Sequence, residues 1–255
     1  MISKFFTTTV LPDIPASTQH AAAFAADDLL FDWTRFSIPR GPSRLIGLQI
    51  RIRGVSVVTP GAFDLVFVKS RDPKFRDTAS GLAPDTLGTE NAAISSSGNF
   101  RWKNEVIGLI SVVAGDWNDA AMIVMNTAQP ALTGREIVFQ SEPASAAKAT
   151  TGSVGYDTFY VAGIAQGAID FRTTLDADGV HATTQKEVTC DTVSVVKAFA
   201  HGDVIHDEDD RLIGTIQTTD SATAFTCQDN LSNATVDDKK LYNLNPIHLI
   251  LSLEK

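Results

Sequence analysis

The stretch RLIGLQIRIRG, residues Arg44 to Gly54, decides the fold class of this chain. Its aliphatic side chains recur at every second position and alternate with glycine, glutamine or arginine. A period of two places one face of an extended segment in a core and the other in water, which is typical of an antiparallel sheet. We therefore predict a strand here. The side chains predicted to be buried are those of Ile46, Leu48, Ile50 and Ile52.

Further segments with strand character lie on both sides of this one, separated by turns rich in glycine and proline. They cover residues 29–38, 63–70, 106–114, 120–125, 135–143 and 159–173. Helical character is confined to a short segment between Ser17 and Asp28, with Ser17 or Thr18 as the predicted cap. The sequence therefore predicts an all-β protein, built as a jelly-roll-like antiparallel β-sandwich.

Three parts follow from the order of these segments. Residues 1–28 form an N-terminal arm, residues 29–175 together with 246–255 form the β-sandwich, and residues 176–245 form a small β-barrel-like domain. Asp178-Gly179, a dipeptide typical of tight hairpins, lies near the start of the small domain. The alternating segment from Ile247 to Leu253 returns the chain to the first sheet. The barrel is thus predicted as an insertion before the final strand.

The N-terminal arm carries apolar side chains on an extended segment bounded by prolines, FFTTTVLPDIP. Such a segment can lie on a neighbouring subunit, or it can form an edge strand of its own sheet, and the sequence favours neither. The candidate interface residues of the arm are Phe5, Phe6, Val10, Leu11 and Ile14.

Composition argues against several partners and sites. The 255 residues include 30 acidic and 21 basic side chains, and a net charge of −9 opposes binding to a phosphate backbone. The longest apolar stretch, residues 106–114, is about half of a membrane-spanning helix. We expect neither a nucleic acid nor a membrane as partner. Cys190 and Cys227 are too few for a disulfide scaffold, and we predict that both are reduced and buried. No export signal is evident, so synthesis in a cytoplasm is expected.

The common catalytic signatures do not match. TGSVG (151–155) has Thr151 where a nucleophile elbow has glycine. The run 174–185 resembles a calcium loop through Asp176 and Asp178 but lacks the terminal acid, so a hairpin turn is the preferred interpretation. We predict no catalytic residue, no cofactor and no metal site. The run His206–Asp210, HDEDD, leaves cation binding open, with a solvated turn as the alternative.

Two tryptophans, Trp102 and Trp117, lie in predicted loops. Aromatic rings on loops can stack on sugars, so both are candidate glycan contacts. Packing on the fold is the simpler alternative for each.

Five stretches resemble a family of virion structural proteins from tailed bacteriophages of cyanobacteria and marine bacteria. They are FDWTRFSIPRG (31–41), RLIGLQIRIRG (44–54), FYVAGIAQGAIDF (159–171), GDVIHDEDDRLIGTIQ (202–217) and LYNLNPIHLILSLEK (241–255). The resemblance implies a virion component and fixes no role within the particle. With an apolar arm and no catalytic signature, the role we expect is that of a non-enzymatic capsid decoration, or cement, protein on the virion surface, assembled in the host cytoplasm. Its partners would be the major capsid protein and further copies of itself, as a homotrimer or another homo-oligomer. The alternatives are a tail or fibre adhesin that binds host glycan and a polysaccharide hydrolase.

Overall fold

The computed structural model describes residues 4–53, 61–69, 86–94, 105–120, 125–130, 132, 136–140, 156–173, 175–191 and 195–255. Within them the chain is all-β. The strands are β1 (Phe5–Val10), β2 (Leu29–Pro39), β3 (Ser43–Ile52), β4 (Phe63–Lys69), β5 (Val106–Val112), β6 (Trp117–Ala120), β7 (Met125–Ala128), β8 (Val138–Phe139), β9 (Tyr156–Ala165), β10 (Glu187–Thr189), β11 (Val204–Asp207), β12 (Leu212–Thr219), β13 (Ala224–Cys227), β14 (Leu241–Asn243) and β15 (Ile247–Glu254). The helices are α1 (Ala16–Ala21), α2 (Val195–Ala198) and a 3-10 turn at Ala114–Asp116.

Two antiparallel sheets form a jelly roll. The first has the order β1-β15-β3-β7-β6, with β8 also paired to β3, and the second has the order β2-β9-β4-β5. Eight of these strands pair from the outside inwards: β1 with β15, β2 with β9, β3 with β7, and β4 with β5. A long hairpin wrapped over two sheets in this way is the jelly-roll connectivity. The predicted jelly-roll-like sandwich is confirmed.

The two sheets bury their facing side chains in one shared core. β15 shows the predicted alternation, with Ile247, Leu249, Leu251 and Leu253 fully buried. A cluster of four phenylalanines joins the sheets, and its ring centroids lie 5.2–6.3 Å apart. Three of these rings come from the second sheet, and the fourth, Phe139, comes from β8 on the first. The core therefore depends on aromatic side chains that cross from sheet to sheet.

The predicted alternation is wrong at one end of β3. Leu48, Ile50 and Ile52 are buried as expected, but Ile46 is 43% exposed and Leu45 takes the core position. The register of β3 against β15 shifts between Ser252 and Leu253, which pair with Gly47 and Leu45. Such a bulge adds one residue and moves the side chains beyond it to the other face. Ile46 therefore lies on the outer face of the first sheet.

A third sheet, inserted between β9 and β15, has the order β10-β13-β12-β11-β14 and a hydrophobic core of its own between Leu175 and Leu241. Residues 175–178 run between the two edges of this sheet. Asp176 bridges to Lys240 beside β14, and Ala177 bridges to Cys190 beside β10. The sheet is thus curved into the small barrel that the sequence predicts before the final strand. No helix in the described ranges is long and apolar enough to cross a membrane.

Candidate functional site

The structure places the N-terminal arm within its own chain. β1 pairs along its whole length with β15, so the arm is an edge strand of the first sheet. Val10 and Ile14 are buried in the jelly-roll core, and Phe6 packs against it half-buried. Phe5 and Leu11 are exposed, at 66% and 44%. Two interpretations of the arm were left open, and in the described chain it forms an edge strand of its own sheet.

Helix α1, which follows the arm, attaches the jelly roll to the barrel. It begins at Ala16 after Pro15 and ends at Ala21, so it is shorter than predicted, and no side chain of its own caps it. Gln19 donates hydrogen bonds to the carbonyls of Ile14 at 2.7 Å and Asn243 at 2.8 Å. Buried amide contacts of this kind fix the helix against β14.

The acidic run His206–Asp210 reaches the same junction through Asp210, and its other carboxylates pair within the barrel. Asp207 is fully buried and accepts a hydrogen bond from Nε of Arg211 at 2.8 Å, and Nη2 of the same guanidinium lies 2.6 Å from the same oxygen. Glu208 and Asp209 both pair with Lys239, at 2.9 and 2.7 Å. Asp210 adopts a left-handed φ of 62°, and its carboxylate accepts hydrogen bonds from the backbone and hydroxyl of Ser17.

Asp210 thus caps α1 in place of the predicted Ser17 or Thr18, because its carboxylate meets the free N–H groups of the first turn. All four carboxylates of HDEDD have partners in the fold. The run is a hairpin turn whose tip, Asp209 and Asp210, is exposed to solvent, in line with the solvated-turn alternative, and whose carboxylates pair with Arg211, Lys239 and Ser17.

A buried ion pair joins the sandwich to the barrel beside this junction. Arg53, at the end of β3, approaches Asp203 of the barrel at 2.8 Å, and the two side chains are 17% and 4% exposed. The same guanidinium nitrogen lies 3.0 Å from Nε2 of His248. Burial, and then the charge of Arg53, lowers the pKa of His248 to about 4, so the imidazole is neutral at pH 7. Because His248 carries no charge, the carboxylate of Asp203 is the group that neutralises the charge of Arg53.

Glu90 lies near the junction, on the segment 86–94 that covers the edge of β2. Its carboxylate accepts a hydrogen bond from the backbone N–H of Asp32 at 3.4 Å. Burial raises the pKa of Glu90 to about 7, against the opposing effect of that hydrogen bond and with smaller contributions from Asp32, Asp13 and Asp210. A carboxyl whose pKa is raised on folding stabilises the fold only while it is protonated.

The pH dependence of stability tests this assignment. Because the folded pKa of about 7 exceeds the ordinary value of 4.5, stability falls as the pH rises between these two values. We expect Glu90→Gln to raise the free energy of unfolding by about 1–2 kcal/mol at pH 8, after discounting for partial exposure, and to change it little at pH 4.5. Denaturant titrations at the two pH values measure this. An equal change at both would contradict it, and Glu187→Gln on an exposed position of β10 is the control.

A second acidic cluster lies where residues 175–178 close the barrel. Carboxylate oxygens of Asp176, Asp191 and Asp238 lie within 4.8 Å of one another, as do those of Asp178, Asp191 and Asp237. These are the only groups of metal-type ligands that the described residues bring together. Hard oxygen ligands suit Ca²⁺ or Mg²⁺, but Lys240 already pairs with Asp176 and neutralises one charge. The sequence pointed to Asp176 and Asp178 alone, because the other three are distant along the chain.

Like charges make this cluster sensitive to pH. Partial desolvation, then the charges of Asp178 and Asp176, raises the pKa of Asp191. Ionisation of Asp191 therefore destabilises the fold at neutral pH. We expect Asp191→Asn to raise the melting temperature at pH 7, and to raise it less at a pH where Asp191 is protonated. A lower melting temperature at pH 7 would show that the carboxylate is required, and Asp229→Asn at an exposed position elsewhere on the barrel serves as the control.

Trp117 is not in a loop. It begins β6, its indole N–H donates to the carbonyl of Gly61 at 3.2 Å, and its ring lies 6.1 Å from that of Phe63. It is partly buried against the jelly-roll core, so it does not offer a free ring for stacking. Trp102 and the stretch TGSVG (151–155) lie outside the described residues.

The five histidines and two cysteines have structural contacts. The hydrogen-bond partners found for the histidine rings are Tyr242 for His20, Asp178 and Thr189 for His181, Gln217 for His201, Asp210 for His206 and Arg53 for His248. Cys190 and Cys227 are free and buried, as predicted, and burial raises the pKa of the two thiols to about 12 and about 11. Thiols with such pKa values are poor nucleophiles at neutral pH.

The chain matches no family model, and no curated protein matches it. Its function is therefore inferred from its fold and its contacts.

Proposed function

We propose that this chain is a non-enzymatic structural protein of a tailed-bacteriophage virion, a capsid decoration protein that binds the major capsid protein as a homo-oligomer. The observation that carries the proposal is the eight-stranded jelly roll with a barrel inserted before its last strand. Jelly rolls are used repeatedly as rigid building blocks of viral shells. The family that the sequence resembles consists of virion structural proteins, which is in line with a role in the particle.

The use of charged residues supports a structural role. Asp210, which accepts hydrogen bonds from Ser17, and the Arg53–Asp203 pair stabilise the junction between sandwich and barrel. Asp207, Glu208 and Asp209 pair with Arg211 and Lys239 inside the barrel. Active sites commonly hold polar groups whose partners are completed by substrate. The carboxylates of HDEDD and the Arg53–Asp203 pair are instead satisfied by partners within the fold, as a rigid particle component requires.

Measurement of copy number tests the proposal. Purified particles of the phage that encodes this chain would be analysed by quantitative mass spectrometry and by imaging with a labelled antibody. We expect the chain in hundreds of copies on the capsid surface. A few to dozens of copies at the tail would indicate a tail component, and absence from particles would overturn any virion role.

A second measurement separates decoration from the adhesin alternative. Jelly rolls also carry lectin sites, so the fold alone does not distinguish the two. We expect host polysaccharide to leave the melting temperature unchanged and isolated capsid shells to bind the protein. A rise in melting temperature with polysaccharide, without binding to shells, would favour the adhesin.

A further inference from the structure

The outer edge of β1 carries unused backbone hydrogen-bonding groups. Lys255 N–H donates to the carbonyl of Lys4 at 3.0 Å, so these two residues form a hydrogen-bonded pair. Phe6, Thr8 and Val10 of β1 therefore also form hydrogen-bonded pairs with β15. Because hydrogen-bonded and non-hydrogen-bonded pairs alternate along an antiparallel ladder, the N–H and C=O groups of Phe5, Thr7 and Thr9 point away from β15. Among the residues that the structure describes, β1 pairs with β15 alone.

This edge lacks the features that usually protect an edge strand. FFTTTV contains no charge and no proline, and its register against β15 has no bulge. Proteins commonly place such features on exposed edges because a bare edge recruits another strand. The neighbouring edge strand of the second sheet, β2, is covered: Leu29 donates to Ala92 and accepts from Asn91. Among the described residues, the edge at β1 is thus open where the edge at β2 is covered.

Apolar side chains flank the open edge on both faces of the sheet. On the outer face Phe5 and Ile46, the residue displaced by the β-bulge, line a shallow groove together with Thr7 and Ser252. On the inner face Phe6 and Thr8 remain half-buried, whereas Val10 is buried. An added strand would complete the burial of Phe6 and cover part of Phe5.

We propose that β1 of one molecule pairs antiparallel with β1 of a second copy, so that the first sheets of two jelly rolls become one continuous sheet. The pairing is two-fold symmetric and centred on Thr7, which faces Thr7 of the second copy, while Phe5 faces Thr9. This register engages every outward-pointing residue of the strand, and each pair exchanges two backbone hydrogen bonds. It does not depend on the virion role.

Charge complementarity favours a second copy as the occupant. Lys4 lies exposed at the start of β1, and Asp13 lies exposed just beyond its end. In the proposed register Lys4 of each copy faces Val10 of the other, and Asp13 follows three residues later, so opposite charges lie at the same end of the interface and attract at longer range. Parallel pairing would place like charges together.

Cysteine crosslinking tests both the partner and the register. In the proposed pair the two Thr7 Cα atoms are about 5.5 Å apart, within the range of a disulfide. The two Thr9 Cα atoms are about 14 Å apart, because four residues of about 3.4 Å separate them along the strands. We expect mild oxidation to link Thr7→Cys into a covalent dimer and to leave Thr9→Cys unlinked. Cys190 and Cys227 are buried and do not compete.

Mass measurement by light scattering over a range of concentrations provides the second readout. We expect the unmodified chain to reach the mass of a dimer. Thr7→Lys places two lysines opposite each other and should weaken the association roughly tenfold or more. Gln49→Lys, which adds the same charge to the same face two strands away, should leave it unchanged. The proposal is overturned if the chain is monomeric throughout, if Thr9→Cys links as readily as Thr7→Cys, or if the two lysine variants behave alike.

Discussion

Asp203→Ala is expected to lower the free energy of unfolding by about 3–5 kcal/mol, because it leaves Arg53 buried without a counter-charge. The neutral imidazole of His248 at 3.0 Å can accept a hydrogen bond from Arg53 but cannot balance its charge. The substitution also removes the carboxylate oxygen that accepts the backbone N–H of Ala200 at 2.8 Å. Urea or guanidinium unfolding at pH 7 measures the loss.

An exposed ion pair in the same chain is the matched control. Asp170 and Arg172 approach to 2.7 Å, but their side chains are 38% and 52% exposed. Asp170→Ala is therefore expected to cost no more than about 1 kcal/mol. Comparable losses in the two variants would show that burial of the Arg53–Asp203 pair has no special effect.

A double substitution separates the charge from the packing. Arg53→Met with Asp203→Leu removes both buried charges and keeps apolar volume between the sandwich and the barrel. Such replacements are often neutral or stabilising, so the double variant is expected to recover much of the stability that Asp203→Ala loses. If the double variant is as unstable as the single one, hydrogen-bond geometry at the junction matters more than charge balance.

Period-two patterns in the sequence were sufficient for the class of fold and for the order of its parts. Buried and exposed side chains alternate clearly along β3 and β15. Because β15 follows the barrel and belongs to the first sheet, its pattern was sufficient to predict the barrel as an insertion. The error at Ile46 has a local cause that no pattern reports: a bulge depends on the partner strand, and its effect is to reverse the faces of β3 beyond Gly47.

The junction could not be predicted for a different reason. Asp210 caps a helix that begins 194 residues earlier, and Arg53 pairs with a carboxylate 150 residues away. Charged residues on turns are commonly solvated, so composition favoured a solvated HDEDD. Only the fold shows that Asp210 reaches Ser17 on α1 and that Asp203 reaches Arg53. The second acidic cluster could not be predicted for the same reason: Asp191 and Asp237 are distant along the chain and meet only when the sheet curves.

Phe139→Ala is expected to have an equally large effect, about 3–5 kcal/mol, although Phe139 lies on a strand of only two residues. Its ring is fully buried and lies 5.6 Å from Phe36, 5.7 Å from Phe67 and 5.2 Å from Phe159. β8 pairs with β3 at Ser43 and Arg44, and Leu45 N–H donates to the carbonyl of Ile137 just before it, so the ladder is short and the cluster adds most of the buried contact. Truncation removes three aromatic contacts at once and leaves a cavity between the sheets.

The adjacent residue supplies the control for Phe139. Val138 lies on the same strand but is 41% exposed, so Val138→Ala is expected to change the free energy of unfolding by no more than about 0.5 kcal/mol. Chemical unfolding of the two variants measures the difference. If Val138→Ala were as destabilising as Phe139→Ala, the strand itself would be the stabilising element. If only Phe139→Ala is destabilising, a single ring from the first sheet anchors the aromatic core of the second.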